Sequence, residues 1–159
     1  MLSHAIKIGK FYHASNGTQE SFELTYAPDE FPDVNLKGKI TVEVDLIRVE
    51  EGIMLIISAI SAVQKTLCST CGKALELPYT IEPSEWLYYE KKPLEYDDEN
   101  EFLFFDKHKM ELDPTEPIRQ ELILNQELLP RCPKACKKIK EAKEEEGVKA
   151  LAGLKNLIQ

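Results

Sequence analysis

Four cysteines stand in two close pairs, Cys68 with Cys71 and Cys132 with Cys136, and the 159 residues hold no others. Two residues separate the members of the first pair, and Pro133, Lys134 and Ala135 separate those of the second. Such spacings let both sulfurs of a pair turn toward one centre, and a thiolate is a soft, anionic metal donor. Two pairs supply the four corners of a tetrahedral Zn²⁺ site, provided the fold unites segments roughly 60 residues apart. A site filled by four sulfurs leaves no position for a catalytic water. The pattern therefore predicts structural zinc on Cys68, Cys71, Cys132 and Cys136, in a protein that is not an enzyme.

Other fates of these thiols are reduced cysteines that merely lie close, disulfides, or a redox dithiol. A redox pair favours a helix N-terminus just after a strand, where the dipole lowers the thiol pKa. Here Gly72 follows the first pair, and Leu75, Leu77 and Tyr79 then alternate as a strand does. His4, His13 and His108 are isolated, none at ligand spacing from a cysteine, and read as surface residues. The acidic stretch Glu95 to Glu101 lacks the Asp-x-Asp-x-Asp-Gly order of a Ca²⁺ loop. It reads as an exposed connection, or a docking surface for a basic protein. Trp86, Tyr88 and Tyr89 have only Lys91 and Lys92 close by, so packing is expected of them before base stacking. Arg131, Lys134, Lys137, Lys138 and Lys140 cluster around the second cysteine pair. They are the candidates for contact with RNA or a partner, although Glu141 to Glu146 follows directly.

The elements that must carry these residues are legible in part. Phe22, Leu24 and Tyr26 alternate as in a half-buried strand, and Ala27 to Lys37 reads as a loop. Ile40, Val42, Val44 and Leu46 alternate with Thr41, Glu43 and Asp45, a turn forms at Glu50-Glu51-Gly52, and Ile53 to Ile57 returns. This is a β-hairpin. The returning strand is apolar at consecutive positions, which predicts a central strand covered on both faces, running on to deliver Cys68. Strands are also expected around Leu75 to Ile81 and Phe102 to Phe105, with Met110 and Leu112 continuing the latter after a turn. Asp113, Pro114 and Glu116 announce a helix start with a capping box, and Ile118 and Leu122 give its apolar face. Val148, Leu151, Leu154 and Ile158 form one stripe of a terminal helix. The expected architecture is α+β: a mostly antiparallel, curled or barrel-like sheet with one packed helix and a C-terminal helix. Residues 1–136 would form the β-rich domain and 137–159 a charged amphipathic tail.

A net charge of −8 opposes broad phosphate-backbone binding and favours basic protein partners. No apolar run is long enough to span a bilayer, and Met1 to Lys10 has no signal-peptide core, so a cytoplasmic protein without membrane contact is expected.

The order of these features is itself a pattern. An apolar strand leads to Cys68-x-x-Cys71, then to Leu75-Glu76-Leu77-Pro78 and an acidic stretch. An Asp-Pro helix start follows, then Ile118-Arg119-Gln120-Glu121-Leu122-Ile123-Leu124-Asn125 and the second cysteine pair. Over roughly residues 18–136 the chain resembles the bacterial YceD family, an uncharacterised-domain family with plastid relatives. The resemblance implies a role in 23S ribosomal RNA accumulation, since members are associated with it and often lie beside the gene for a small large-subunit protein. It departs from the family after Cys71, where Gly72-Lys73-Ala74 replaces an Arg-Cys-Leu-Glu ending. It departs again after Cys136, where Lys137-Lys138-Ile139-Lys140 replaces a further cysteine-bearing run. One four-ligand set remains. The implied function is a non-catalytic factor that binds a basic large-subunit ribosomal protein or a pre-ribosomal particle, with local ribosomal RNA contact. The alternatives are a zinc- or thiol-dependent redox enzyme and a zinc-stapled interaction module unrelated to ribosomes.

Overall fold

The computed structural model describes residues 4–91, 102–133 and 136, and these fall into two compact units. The larger comprises residues 4–65, 76–91 and 102–127, the smaller residues 66–75, 128–133 and 136. The expected acidic loop from Glu95 to Glu101 and the tail at 137–159 lie outside the described residues.

The alternating run after the first loop becomes a long hairpin. Strand β3 (Leu36–Arg48) pairs antiparallel with β4 (Gly52–Leu67), from Arg48 opposite Ile53 to Leu36 opposite Gln64, with register shifts between Glu43 and Val44 and between Lys37 and Thr41. Ile40, Val42, Val44 and Leu46 of β3 face inward with Ile53, Leu55 and Ile57 of β4, and all seven are at most 1% exposed. Gly52 is required where the hairpin turns: a Cβ there would lie 1.9 Å from the Tyr88 carbonyl oxygen of a neighbouring strand. Arg48 braces the same turn, its guanidinium donating to the carbonyls of Tyr12, Val49 and Gly52. Midway along β4 the register shifts. Val44 faces Ile57 and Glu43 faces Ala59, so Ser58 is the extra residue of a β-bulge. Beyond it Ile60, Ala62 and Gln64 are the buried positions.

Strands β2 (Gln19–Tyr26), β6 (Ser84–Tyr89) and β7 (Leu103–Phe104) complete a sheet of order β2-β3-β4-β6-β7, and β5 (Ala74–Pro78) also pairs with β4. The β2–β3, β3–β4 and β4–β6 pairs are antiparallel, whereas β6 and β7 run parallel. The fold is α+β as expected. The sheet stays open, since β2 and β7 end the order without pairing with each other, so the barrel form of the expectation does not occur.

Helix α2 (Thr115–Leu124) seats Ile118 and Leu122 in the core. Its N-cap is Pro114, which has no side-chain cap, and Asp113 one residue earlier accepts from the Thr115 N–H at Oδ1, 3.0 Å, just ahead of the first turn. Glu116 does not close a capping box, because the helix starts one residue later than expected and Glu116 is its second position; both its oxygens accept from Arg119, at 2.8 Å each. Pro117 stands third in the helix, where a backbone N–H has no intrahelical partner in any case. Glu111–Leu112 is a strand, β8, but it pairs with β1 (Ile6–Lys7) in a separate two-stranded sheet rather than extending β7. That small sheet and the short helix α1 (Gly9–Tyr12) add Ile6, Phe11 and Leu112 to the core. Tyr88 is buried, and Trp86 packs on the core, as expected of the aromatic cluster. His4 departs from the surface reading, as its Nε2 pairs with Glu30 at 2.6 Å and its ring lies 4.1 Å from that of Tyr26.

Strand β4 is central, between β3 and β6, but only one of its faces enters the core. Met54 and Ile56 point the other way and remain partly exposed. The expected cover on both faces is therefore absent among the described residues. No helix among them is long and apolar enough to cross a membrane.

Candidate metal centre

Both ligand-bearing segments leave the larger unit at one hydrogen bond. Gln64, near the end of β4, is 8% exposed, and its Oε1 accepts from the Glu127 N–H at 3.1 Å. Cys68 follows Gln64 within a turn's length of chain, and Cys132 likewise follows Glu127.

Inside the smaller unit the first pair sits on a tight knuckle. The Cys68 N–H donates to the Lys73 carbonyl at 2.8 Å, and the Gly72 N–H donates back to the Cys68 carbonyl at 2.9 Å. Closing so short a loop needs a left-handed residue, and Gly72 supplies it with φ of 72°. The second pair is tied to this knuckle by Ser69. Its N–H and its hydroxyl both donate to the Pro130 carbonyl, at 2.8 and 2.9 Å. Sequence reasoning did not single out Ser69 or Gln64. The available signal was a polar amide at an inward position of an apolar strand.

These constraints bring all four sulfurs within 4.8 Å of one another. Cys71 Sγ lies 3.5 Å from Cys132 Sγ, and Cys68 Sγ lies 3.9 Å from Cys136 Sγ. Sulfurs at the corners of a tetrahedron around zinc, each with a bond of about 2.3 Å, stand about 3.8 Å apart. The donor set fits. All four cysteines are free, at separations far beyond a disulfide bond of about 2.05 Å. Among the described residues no histidine or carboxylate joins the cluster.

The thiols differ in acidity. The Thr70 N–H pulls the Cys68 thiol down to about 6, helped by the N–H groups of Cys71 and Cys132. Cys132 is pushed up to about 12, chiefly through its hydrogen bond with the Cys71 thiol, and Cys136 is raised chiefly by burial. Anions this close repel, so neighbouring thiols keep their protons. A divalent cation bound here would supply the charge that lets all four ionise.

Of the basic residues expected around the second pair, Arg131 is exposed and forms no ion pair among the described residues. Lys134, Lys137, Lys138 and Lys140 lie outside the described residues. Comparison of the chain with protein-family models, with curated proteins and with solved structures returns no match.

Proposed function

We propose that this chain is a non-catalytic binding protein of large-subunit ribosome assembly, whose smaller unit is held together by a structural zinc ion. The observation that carries the zinc and the non-catalytic role is the sulfur cluster: four thiols within 4.8 Å, joined by no other donor among the described residues. Soft thiolate ligands select zinc over magnesium or calcium, and four of them close its coordination sphere. The ribosomal setting rests on the YceD resemblance of the segments around both cysteine pairs. The net charge of −8 supports a basic protein as the direct partner, steered by long-range attraction. Arg131 beside the second pair supports a local phosphate contact.

The test is affinity purification of the tagged protein from its own cells at low and moderate salt, with RNA and protein both identified. Recovery of 23S precursors or a basic large-subunit protein, weakened by salt, is expected. Recovery of a reproducible partner unrelated to ribosomes would replace this reading with that of a zinc-stapled interaction module elsewhere in the cell.

A further inference from the structure

The face of the sheet turned away from the core has an unusual composition. Strand registers align Ile47, Met54 and Leu87 on one rung, then Asp45, Ile56 and Glu85 on the next, then Glu23, Glu43 and Ala59. Ile47, Met54, Ile56 and Leu87 are all partly exposed. They belong neither to the buried core nor to the apolar residues packed against it. The outward face of a one-sided antiparallel sheet ordinarily alternates to polar residues. Here four large apolar side chains adjoin one another instead.

Three carboxylates beside this stripe, Glu23, Glu43 and Glu85, have no cationic partner among the described residues. Glu23 and Glu43 stand directly opposite each other, a cross-strand placement that like charges disfavour. Asp45 is held as an anion by the hydroxyls of Ser21 and Ser58, the latter at 2.8 Å. These bonds, the one from Ser21 first, keep its carboxyl below the usual range. A groove of about 280 Å³ opens between Ser21, Glu23, Glu43, Asp45 and Ser58.

We propose that this outward face docks a basic amphipathic segment of a partner protein. Apolar side chains of the segment seat on Ile47, Met54, Ile56 and Leu87, and a Lys or Arg head enters the groove between Glu23, Glu43 and Asp45. The charge selects the occupant. Nucleic acid and anionic lipid would meet unneutralised carboxylates, and a second copy of this face would add its own to them. A cationic segment relieves the Glu23–Glu43 repulsion and covers the stripe in one step. The inference rests on the reading of the chain as a binding module and names the surface it would use.

The test uses the full chain and a fluorescein-labelled 12-residue peptide of alternating leucine and lysine, followed by anisotropy across a salt series. A peptide of alternating leucine and glutamate is the control. The expected result is salt-sensitive binding of the lysine peptide alone. Glu23→Gln with Glu43→Gln should weaken it roughly threefold to tenfold, the range of two partly exposed ion pairs. Met54→Ser with Ile56→Ser should weaken it roughly tenfold or more by removing apolar seat. All four positions face away from the core, and thermal melting checks that the variants fold. No binding, equal binding of the glutamate peptide, or variants that bind as wild type would each overturn the proposal. So would a dimer in sedimentation that Met54→Ser with Ile56→Ser dissociates, because the face would then be a self-interface. If the tagged face variants still recover ribosomal proteins, the surface is wrong and the ribosomal reading stands. If the peptide binds through this face but no ribosomal material is recovered, the reverse holds.

Discussion

Stripping the proposed zinc should unfold the smaller unit and leave the sheet intact. The described residues of that unit form no apolar core: only Cys68 and Pro130 among them are buried, while Leu67, Leu128 and Leu129 are 62%, 86% and 69% exposed. Ordering the eleven described residues of the ligand loops (68–73, 130–133 and 136) costs about 11 kcal/mol, at about 1 kcal/mol per residue. The four hydrogen bonds made by Cys68, Gly72 and Ser69 return about 4 kcal/mol, at about 1 each. A structural zinc site contributes about 10 kcal/mol or more, which turns a deficit of about 7 kcal/mol into a surplus of about 3. Metal-loaded loops should therefore show amide protection of roughly 100-fold, and metal-free loops none. Hydrogen exchange by mass spectrometry, with zinc content measured in parallel, reads this directly. After chelation, residues 66–75 and 128–133 should lose their protection while β3 and the first part of β4 keep theirs. Cys132→Ser with Cys136→Ser should reproduce the result without a chelator. Unchanged protection in a sample shown to be zinc-free would refute the idea that the metal holds this unit.

Three further outcomes follow from the geometry. Gly52→Ala should lower stability by about 1–3 kcal/mol in a denaturant titration, because its Cβ meets the Tyr88 backbone at 1.9 Å rather than a side chain that can move. Ser69→Ala removes one of two donors to Pro130. Zinc affinity, measured by competition with a chromogenic chelator, should fall about twofold to tenfold, and an unchanged affinity would remove Ser69 from the positioning set. Glu116 is lowered to about 2 from an ordinary 4.5, first by its hydrogen bond with Arg119. Its stabilising effect is thus present above about 4.5 and lost as pH falls toward 2. The melting gap between wild type and Glu116→Gln, about 0.5 kcal/mol for a half-exposed pair, should close over that window.

The hairpin and the cysteine set were legible because each is a local pattern: alternation from Ile40 to Leu46, a Gly-containing turn, and thiols two and three residues apart. What was not legible depends on distant partners. Ile6–Lys7 and Glu111–Leu112 are two residues each, too short for any period, and pair only because the chain returns. The parallel pairing of β6 with β7 leaves no mark in either segment. Glu116 fits a capping box on spacing from Asp113, but the N-cap falls on Pro114, which moves Glu116 to the second helical position, where it pairs with Arg119. An apolar run such as Ile53 to Ile57 states that both faces of a strand are hydrophobic. It does not state that this chain covers both. The tie from Ser69 to Pro130 joins residues far apart in sequence and of ordinary composition, so nothing nearby announces it.

The bulge at Ser58 works as a phase joint in β4. Before it the odd-numbered residues Ile53, Leu55 and Ile57 face inward; after it the even-numbered Ile60, Ala62 and Gln64 do. Deleting Ser58 would restore strict alternation and leave all six facing as they do now. Deleting Ser61 instead would invert everything downstream, throwing Ala62 and Gln64 outward and freeing the Glu127 N–H at the point where both cysteine-bearing segments depart. A single-residue deletion is thus absorbed at Ser58 and transmitted from Ser61. The site's ligands depend on a count of residues in a strand that contains none of them.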